Sequence, residues 1–114
     1  MNDTIYITRG LDNCLYIFSK SSWEIFSSNL RALPHSEGRH LIRFFISGAV
    51  ELSPDKQGRV LITPVLKKYA GLSKNVIIAG AGDRLEMFDD SKWDDTLSEF
   101  SSDEIAKIMK EAGM

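Results

Sequence analysis

Asp55-Lys-Gln-Gly-Arg-Val-Leu-Ile-Thr-Pro-Val-Leu-Lys-Lys-Tyr-Ala-Gly-Leu72 holds a turn, an extended arm and a short helix in close succession. Pro54-Asp-Lys-Gln-Gly58 is turn chemistry, and Gly58 supplies the residue able to take a positive φ. Ala49-Val-Glu-Leu-Ser53 before it and Arg59-Val-Leu-Ile-Thr63 after it have the apolar, β-branched content of strands. The spacing therefore predicts a β-hairpin over 49–63. Thr63-Pro64 places an N-cap before a proline at the first helical position, and Gly71 stands where a helix stops. A short helix over Val65–Ala70 is expected.

Working outward, residues 4–9 and Cys14-Leu-Tyr-Ile-Phe18 read as two strands joined by the turn chemistry of Gly10-Leu-Asp-Asn13. Ser21-Ser-Trp-Glu24 fits a capping box, and a helix is expected from there to about Leu33, ended by Pro34. Ser36 is placed to cap a further helix whose apolar face is Leu41, Ile42, Phe44 and Phe45, with Gly48 at its end. Asn75–Ala79 and Arg84–Phe88 read as strands about a Gly80-Ala-Gly-Asp83 turn. Ser91 and Ser101 each open a capped helix.

The chain repeats itself at an offset of 70: Ile7/Ile77, Gly10/Gly80, Leu15/Leu85, Phe18/Phe88, Ser21/Ser91 and Trp23/Trp93 are identical. The identities fall on one strand–turn–strand–capped-helix layout, which makes chance a poor account of them. The second copy is preceded by the 55–59 turn and the Thr63–Gly71 helix. Counterparts of these for the first copy would lie upstream of residue 1, so the chain reads as starting within its first repeat.

Composition bounds what such a chain does. It has 114 residues, 43% of them hydrophobic and 26% charged, which suits one small globular domain that oligomerisation would help to stabilise. No stretch approaches the roughly 18 apolar residues of a membrane span, and MNDTIYITRG has no signal-peptide pattern, which points to the cytosol. A single cysteine excludes an internal disulfide, and His35 and His40 lie off the spacing that puts two ligands on one helical face. No metal and no cofactor is expected.

The net charge is −2, but unevenly spread. Residues 31–74 carry eight basic and three acidic groups, whereas residues 83–114 carry four basic and ten acidic ones. A basic middle with an acidic end permits a polyanion partner at the middle segment. Two solvated surfaces of opposite sign would look the same. Enzyme readings find little support. Gly80-Ala-Gly-Asp-Arg-Leu85 breaks the dinucleotide fingerprint at its third glycine, and there is no Walker loop, paired histidine motif or serine elbow.

The run Asp55–Leu72, the following hairpin to Glu86-Met-Phe-Asp89, and Trp93 together resemble the second half of a MraZ-family protein. That family consists of bacterial transcriptional regulators built from two SpoVT/AbrB-type swapped-hairpin repeats, each marked by a D-x-x-x-R turn. Asp55 and Arg59 match the motif. Ile7–Phe18 with Trp23 resembles the end of the family's first repeat, and the likeness covers residues 4–97. The first D-x-x-x-R hairpin has no match here. The resemblance implies an α+β fold of AbrB-like swapped-hairpin β-barrel elements with short helices and an acidic helical tail. Residues 1–18 would be the remnant of the first repeat, 19–43 linker helices, 44–88 the second repeat and 89–114 the C-terminal helices. It also implies a homo-oligomer, ring-like in the family, located in the cytoplasm and nucleoid. The partner would be double-stranded promoter DNA of the division and cell-wall gene cluster.

On that reading the turn carries the DNA contacts. Arg59 can bond bidentately to guanine or phosphate, Gln57 can read adenine, and Lys56 supplies charge to the backbone. Asp55 is acceptor-only and suits a structural role, either accepting turn N–H groups or orienting Arg59; Gly58 serves the backbone. Arg39 and Arg43, four apart on the middle helix, can add phosphate contacts. Without the resemblance the turn would be an ordinary polar one. Trp23 and Trp93 are expected as packing anchors, and Cys14 as a small buried hydrophobe. The competing reading is a truncated oligomerisation module that does not bind DNA.

Overall fold

A computed structural model of the protein describes residues 4–114. Five strands form one antiparallel sheet: β1 (Ile5–Arg9), β2 (Leu15–Ser19), β3 (Val50–Leu52), β4 (Val76–Gly80) and β5 (Leu85–Asp89). Their order is β3-β1-β2-β5-β4. Five helices surround it: α1 (Lys20–Arg31), α2 (His35–Leu41), α3 (Pro64–Ala70), α4 (Asp90–Leu97) and α5 (Ser102–Glu111). The fold is α+β as expected, and the sheet is open rather than closed on itself.

β2 is central and apolar on both faces, which explains why Leu15-Tyr-Ile-Phe18 does not alternate with polar residues. One face gathers Ile7, Leu15, Ile17 and Met87 beneath Leu66 and Ala70 of α3. The other gathers Tyr16, Phe18 and Phe88 beneath Leu30 of α1 and Phe45. There Trp23 stacks on Tyr6 at 5.4 Å, and Trp93 meets Phe88 at 5.3 Å, so both tryptophans anchor packing. Cys14 is fully buried, and burial pushes its thiol up to about 12.

The repeat becomes a two-fold relation in the sheet. β2 pairs with β5 through Leu15↔Met87, Tyr16↔Glu86 and Ile17↔Leu85. Adding the 70-residue offset turns Leu15↔Met87 into Leu85↔Ile17 and leaves Tyr16↔Glu86 on the axis. The helix caps follow: Ser19 accepts from Ser22 N ahead of α1, and Asp89 accepts from Ser91 N ahead of α4. These replace the expected caps Ser21 and Ser91. In each case the last strand residue already has the extended backbone of an N-cap and a side chain within reach of the first turn. Ser36 is likewise not a cap; α2 starts at His35 behind Pro34, and a π-type turn (Ile42–Ile46) extends it towards Gly48.

The relation fails at the turns. Gly10 N bonds Cys14 O around Leu11–Asn13, whereas Ala81 N bonds Arg84 O around the shorter Gly82–Asp83. Gly10 and Gly80 are thus aligned in sequence but not in space. A Cβ on Gly10 would lie 2.4 Å from the Tyr16 ring, while one on Gly80 would meet nothing within 4 Å. Gly10→Ala should therefore cost about 1–3 kcal/mol through overpacking, and Gly80→Ala almost nothing, as read by urea unfolding.

Asp89 ties the segment ahead of β4 to the start of α4. One carboxylate oxygen accepts from Ser73 N and Ser73 Oγ, both at 2.7 Å, and the other from Ser91 N and Ser91 Oγ. The Ser91 hydroxyl and then the Ser73 donors hold this carboxyl well below the usual carboxylate range. A depressed carboxyl stabilises the fold above its ordinary pKa, near 4, and that stabilisation is lost as pH falls towards the folded value. Asp89→Asn should flatten the fall of the urea midpoint between pH 5 and pH 2.

Candidate nucleic-acid interface

The 55–59 turn leaves the sheet at its β3 edge. Tyr6↔Glu51 and its flanking pairs fix β3 on β1, reinforced by a 2.6 Å bond from the Tyr6 hydroxyl to Glu51 Oε1. Beyond the turn, Val60 and Ile62 rest on the α3 side of the sheet. α3 has the expected cap, with Thr63 Oγ1 accepting from Leu66 N and Gly71 closing it at φ 62°. The Tyr69 hydroxyl fixes it to the end of β1 by donating to Gly10 O at 2.6 Å.

The turn is organised by one carboxylate. Asp55 Oδ1 accepts from Gln57 N at 2.8 Å and Arg59 N at 2.9 Å, and Asp55 N donates to Arg59 O at 2.8 Å. Asp55 Oδ2 lies 3.5 Å from Arg59 Nε, so both roles left open for Asp55 are filled at once. The amides of Arg59 and Gln57 hold the Asp55 carboxyl below its ordinary value. Gly58 completes the turn at φ 77°, with Gly58 N donating to Asp55 O.

This arrangement pushes the polar side chains outward. Lys56, Gln57 and Arg59 are all exposed, the Arg59 side chain at 71%. One Arg59 Nη2 hydrogen bond goes to Gln57 Oε1, which sets the amide and the guanidinium side by side. Planar groups held in this way suit bidentate recognition of base edges or phosphate.

One expectation needs correction. Arg59–Thr63 is extended but forms no strand, because no ladder partner faces it among the described residues; β3 pairs with β1 instead. An extended segment without a neighbour to satisfy its N–H and C=O groups is not a sheet strand. Arg39 and Arg43 are exposed, yet neither is bonded to the turn. Their segments pack on the Tyr16/Phe18 face, whereas the arm leaving the turn packs on the Ile7/Leu15 face.

Arg9 was not legible as part of this region. Its guanidinium bonds Phe44 O through Nε at 3.0 Å and Arg43 O through Nη2 at 2.9 Å, and lies 4.7 Å from the Phe44 ring centroid. It thereby holds the turn that carries Arg43. A cation at a strand end gives no local hint of partners 34 residues away.

Fold and turn together define a two-repeat α+β protein that presents a cationic turn held by its own aspartate. The model of the MraZ protein family, antitoxin-like by its description, matches residues 45–112. A transcriptional regulator MraZ of Acetivibrio thermocellus is 40% identical over 118 residues, covering all of this chain and 82% of that protein. The Clostridium tetani protein of the same name is 38% identical over 117 residues with the same coverage, and that of Syntrophomonas wolfei 39% over 111 residues, covering 94% and 78%. The chain belongs to the MraZ family. These relatives are named as regulators of transcription, not as enzymes.

Removing the Asp55 carboxylate should loosen the tip without unfolding the sheet. Asp55→Ala is expected to speed amide exchange at Gln57 and Arg59 while leaving β1 and β2 amides protected. Gly58→Ala should cost about 1 kcal/mol from its left-handed φ alone, since its Cβ would meet nothing.

Proposed function

We propose that the protein is a sequence-specific DNA-binding regulator of the MraZ type, acting on the promoter of the division and cell-wall gene cluster. The observation that carries this is the Asp55-braced turn, which displays Lys56, Gln57 and Arg59 on a narrow tip with the Arg59 side chain 71% exposed. Such a tip is slim enough for a major groove. Arg59 and Gln57 read base edges and Lys56 neutralises phosphate. Arg39 and Arg43 add phosphate contacts from a separate surface, contributing affinity without sequence information.

One tip makes few contacts. A homo-oligomer, ring-like in form, multiplies them by raising the effective concentration of each further tip once the first is bound. The site of action is the cytoplasm, at the nucleoid. No cofactor enters the reading, because charge and hydrogen bonding at the tip suffice for recognition.

Arg59→Ala is the test. Fluorescence anisotropy with a promoter duplex should show affinity falling roughly tenfold or more, with discrimination against a scrambled duplex lost, consistent with about 1–3 kcal/mol for a bidentate contact. Elution volume in size exclusion should not change. Arg39→Ala or Arg43→Ala should weaken both duplexes alike and reduce the salt slope by about one. Unaltered promoter binding by Arg59→Ala across a salt titration would favour the other reading, an oligomerisation module that does not read DNA.

A further inference from the structure

The end of β1 carries two side chains that reach across to the π-type turn (Ile42–Ile46) and take up its carbonyl groups. Thr8, fully buried, donates through Oγ1 to Phe45 O at 2.6 Å. Arg9 donates to Phe44 O from Nε at 3.0 Å and from Nη2 at 2.8 Å, and to Arg43 O from Nη2 at 2.9 Å. The last carbonyls of a helical segment have no partner within it and must find one outside. Here the partner is a charged planar fork, the stronger kind of donor. Room for that fork depends on Gly48, where a Cβ would lie 3.0 Å from Arg9 Nε and 3.2 Å from Phe44 O.

Arg43 is therefore held by its backbone, whose carbonyl accepts from Arg9 Nη2 and from the Ser47 hydroxyl, while the residue itself stays exposed. The Arg9 guanidinium also lies 4.7 Å from the Phe44 ring centroid, and that ring meets Tyr69 of α3 edge-on at 6.1 Å. Arg9 thus sits where the Arg43 turn, the approach to β3 and α3 meet. The β1–β3 ladder runs from this junction towards the cationic tip, from Ile7↔Val50 to Ile5↔Leu52. Arg43 precedes one end of that ladder and Arg59 follows the other.

We propose that Arg9 is the positioning residue for the phosphate contact made by Arg43. It touches no DNA itself; its fork on the Arg43 and Phe44 carbonyls holds the Arg43 backbone in place at the head of the ladder that carries the tip. The assignment rests on the reading of Arg43 as a phosphate contact. Phosphate contacts fix the register of a protein on a duplex, so a cation free to drift relative to the tip loses its share of the affinity. Arg9→Lys keeps the charge but loses the planar fork that spans both carbonyls and lies over Phe44. Gly48→Ala keeps every charge and pushes the guanidinium aside. A direct electrostatic role for Arg9 would survive the first change, and a positioning role survives neither.

Two measurements on the full chain test this. Without DNA, the Ser47 and Ala49 amides, bonded to Ile42 O and Ile46 O, should exchange about tenfold faster in each variant while β1 and β2 amides stay protected. With a promoter duplex, anisotropy across a salt titration should show each variant binding about three- to tenfold more weakly and the salt slope lower by about one, although no charge has been removed. Adding Arg43→Ala to either variant should then change nothing further, whereas adding Arg59→Ala should multiply the loss. If Arg43→Ala alone leaves the slope unchanged, the phosphate reading falls and this assignment with it. If Arg43→Ala lowers the slope but Arg9→Lys and Gly48→Ala bind as the wild type does, or keep the full Arg43→Ala loss, the assignment of Arg9 alone is overturned. Loss of β1 and β2 protection in both variants would also overturn it, by making Arg9 a residue of the fold and no more.

Discussion

The pairing of β2 with β5 is the constraint on which the rest of the molecule depends. It joins the two copies of the repeat at their inner strands, with Tyr16↔Glu86 on the axis, and makes β2 a strand with neighbours on both sides. Only in that position can Leu15, Tyr16, Ile17 and Phe18 all be buried. Their side chains alternate between two cores, one closed by α3 and the other by α1, Phe45 and the tryptophans. Apolar burial on both faces at roughly 25 cal/mol per Å² is the main favourable term for so small a domain.

The two halves of the sheet are not equally furnished. The half around β1 has β3 on its edge and α3 over its face. Among the described residues, the half around β4 has no equivalent of either. Val76, Ile78 and Leu85, which share a face with Met87, stay 38%, 53% and 43% exposed. The extended arm at Arg59–Thr63 belongs to the same imbalance. Val60, Leu61 and Ile62 face Val76 and Met87 across a cavity of about 250 Å³, and among the described residues neither the arm nor the outer side of β4 has a ladder partner.

The region that displays charge combines a local device with distant supports. Asp55, Gln57, Gly58 and Arg59 arrange one another within five residues, through bonds that any chain of this sequence can make. The direction in which the tip points is set by β3 on β1 and by Tyr69 on Gly10, contacts that span dozens of residues. Arg9, holding the Phe44 carbonyl and stacked on its ring, shows the same dependence at Arg43.

The sequence by itself determined whatever is decided within a few residues. That includes the Thr63–Gly71 helix with its cap and stop, the Ser101/Glu104 capping box, the Asp55–Arg59 turn and the two-copy layout with its half-buried tryptophans. Family membership was legible too, because motif, spacing and repeat agree along one chain. Tertiary structure decided the rest. A strand requires a partner that composition cannot name, so Arg59–Thr63 looked like a strand and is not one. A one-residue difference in turn length separated Gly10 from Gly80 in space. Arg39 and Arg43 parted from the turn because the segments bearing them pack on the opposite face of the sheet from its outgoing arm. Each of these depends on contacts between residues far apart in sequence, where the geometry of neighbours outweighs local preference.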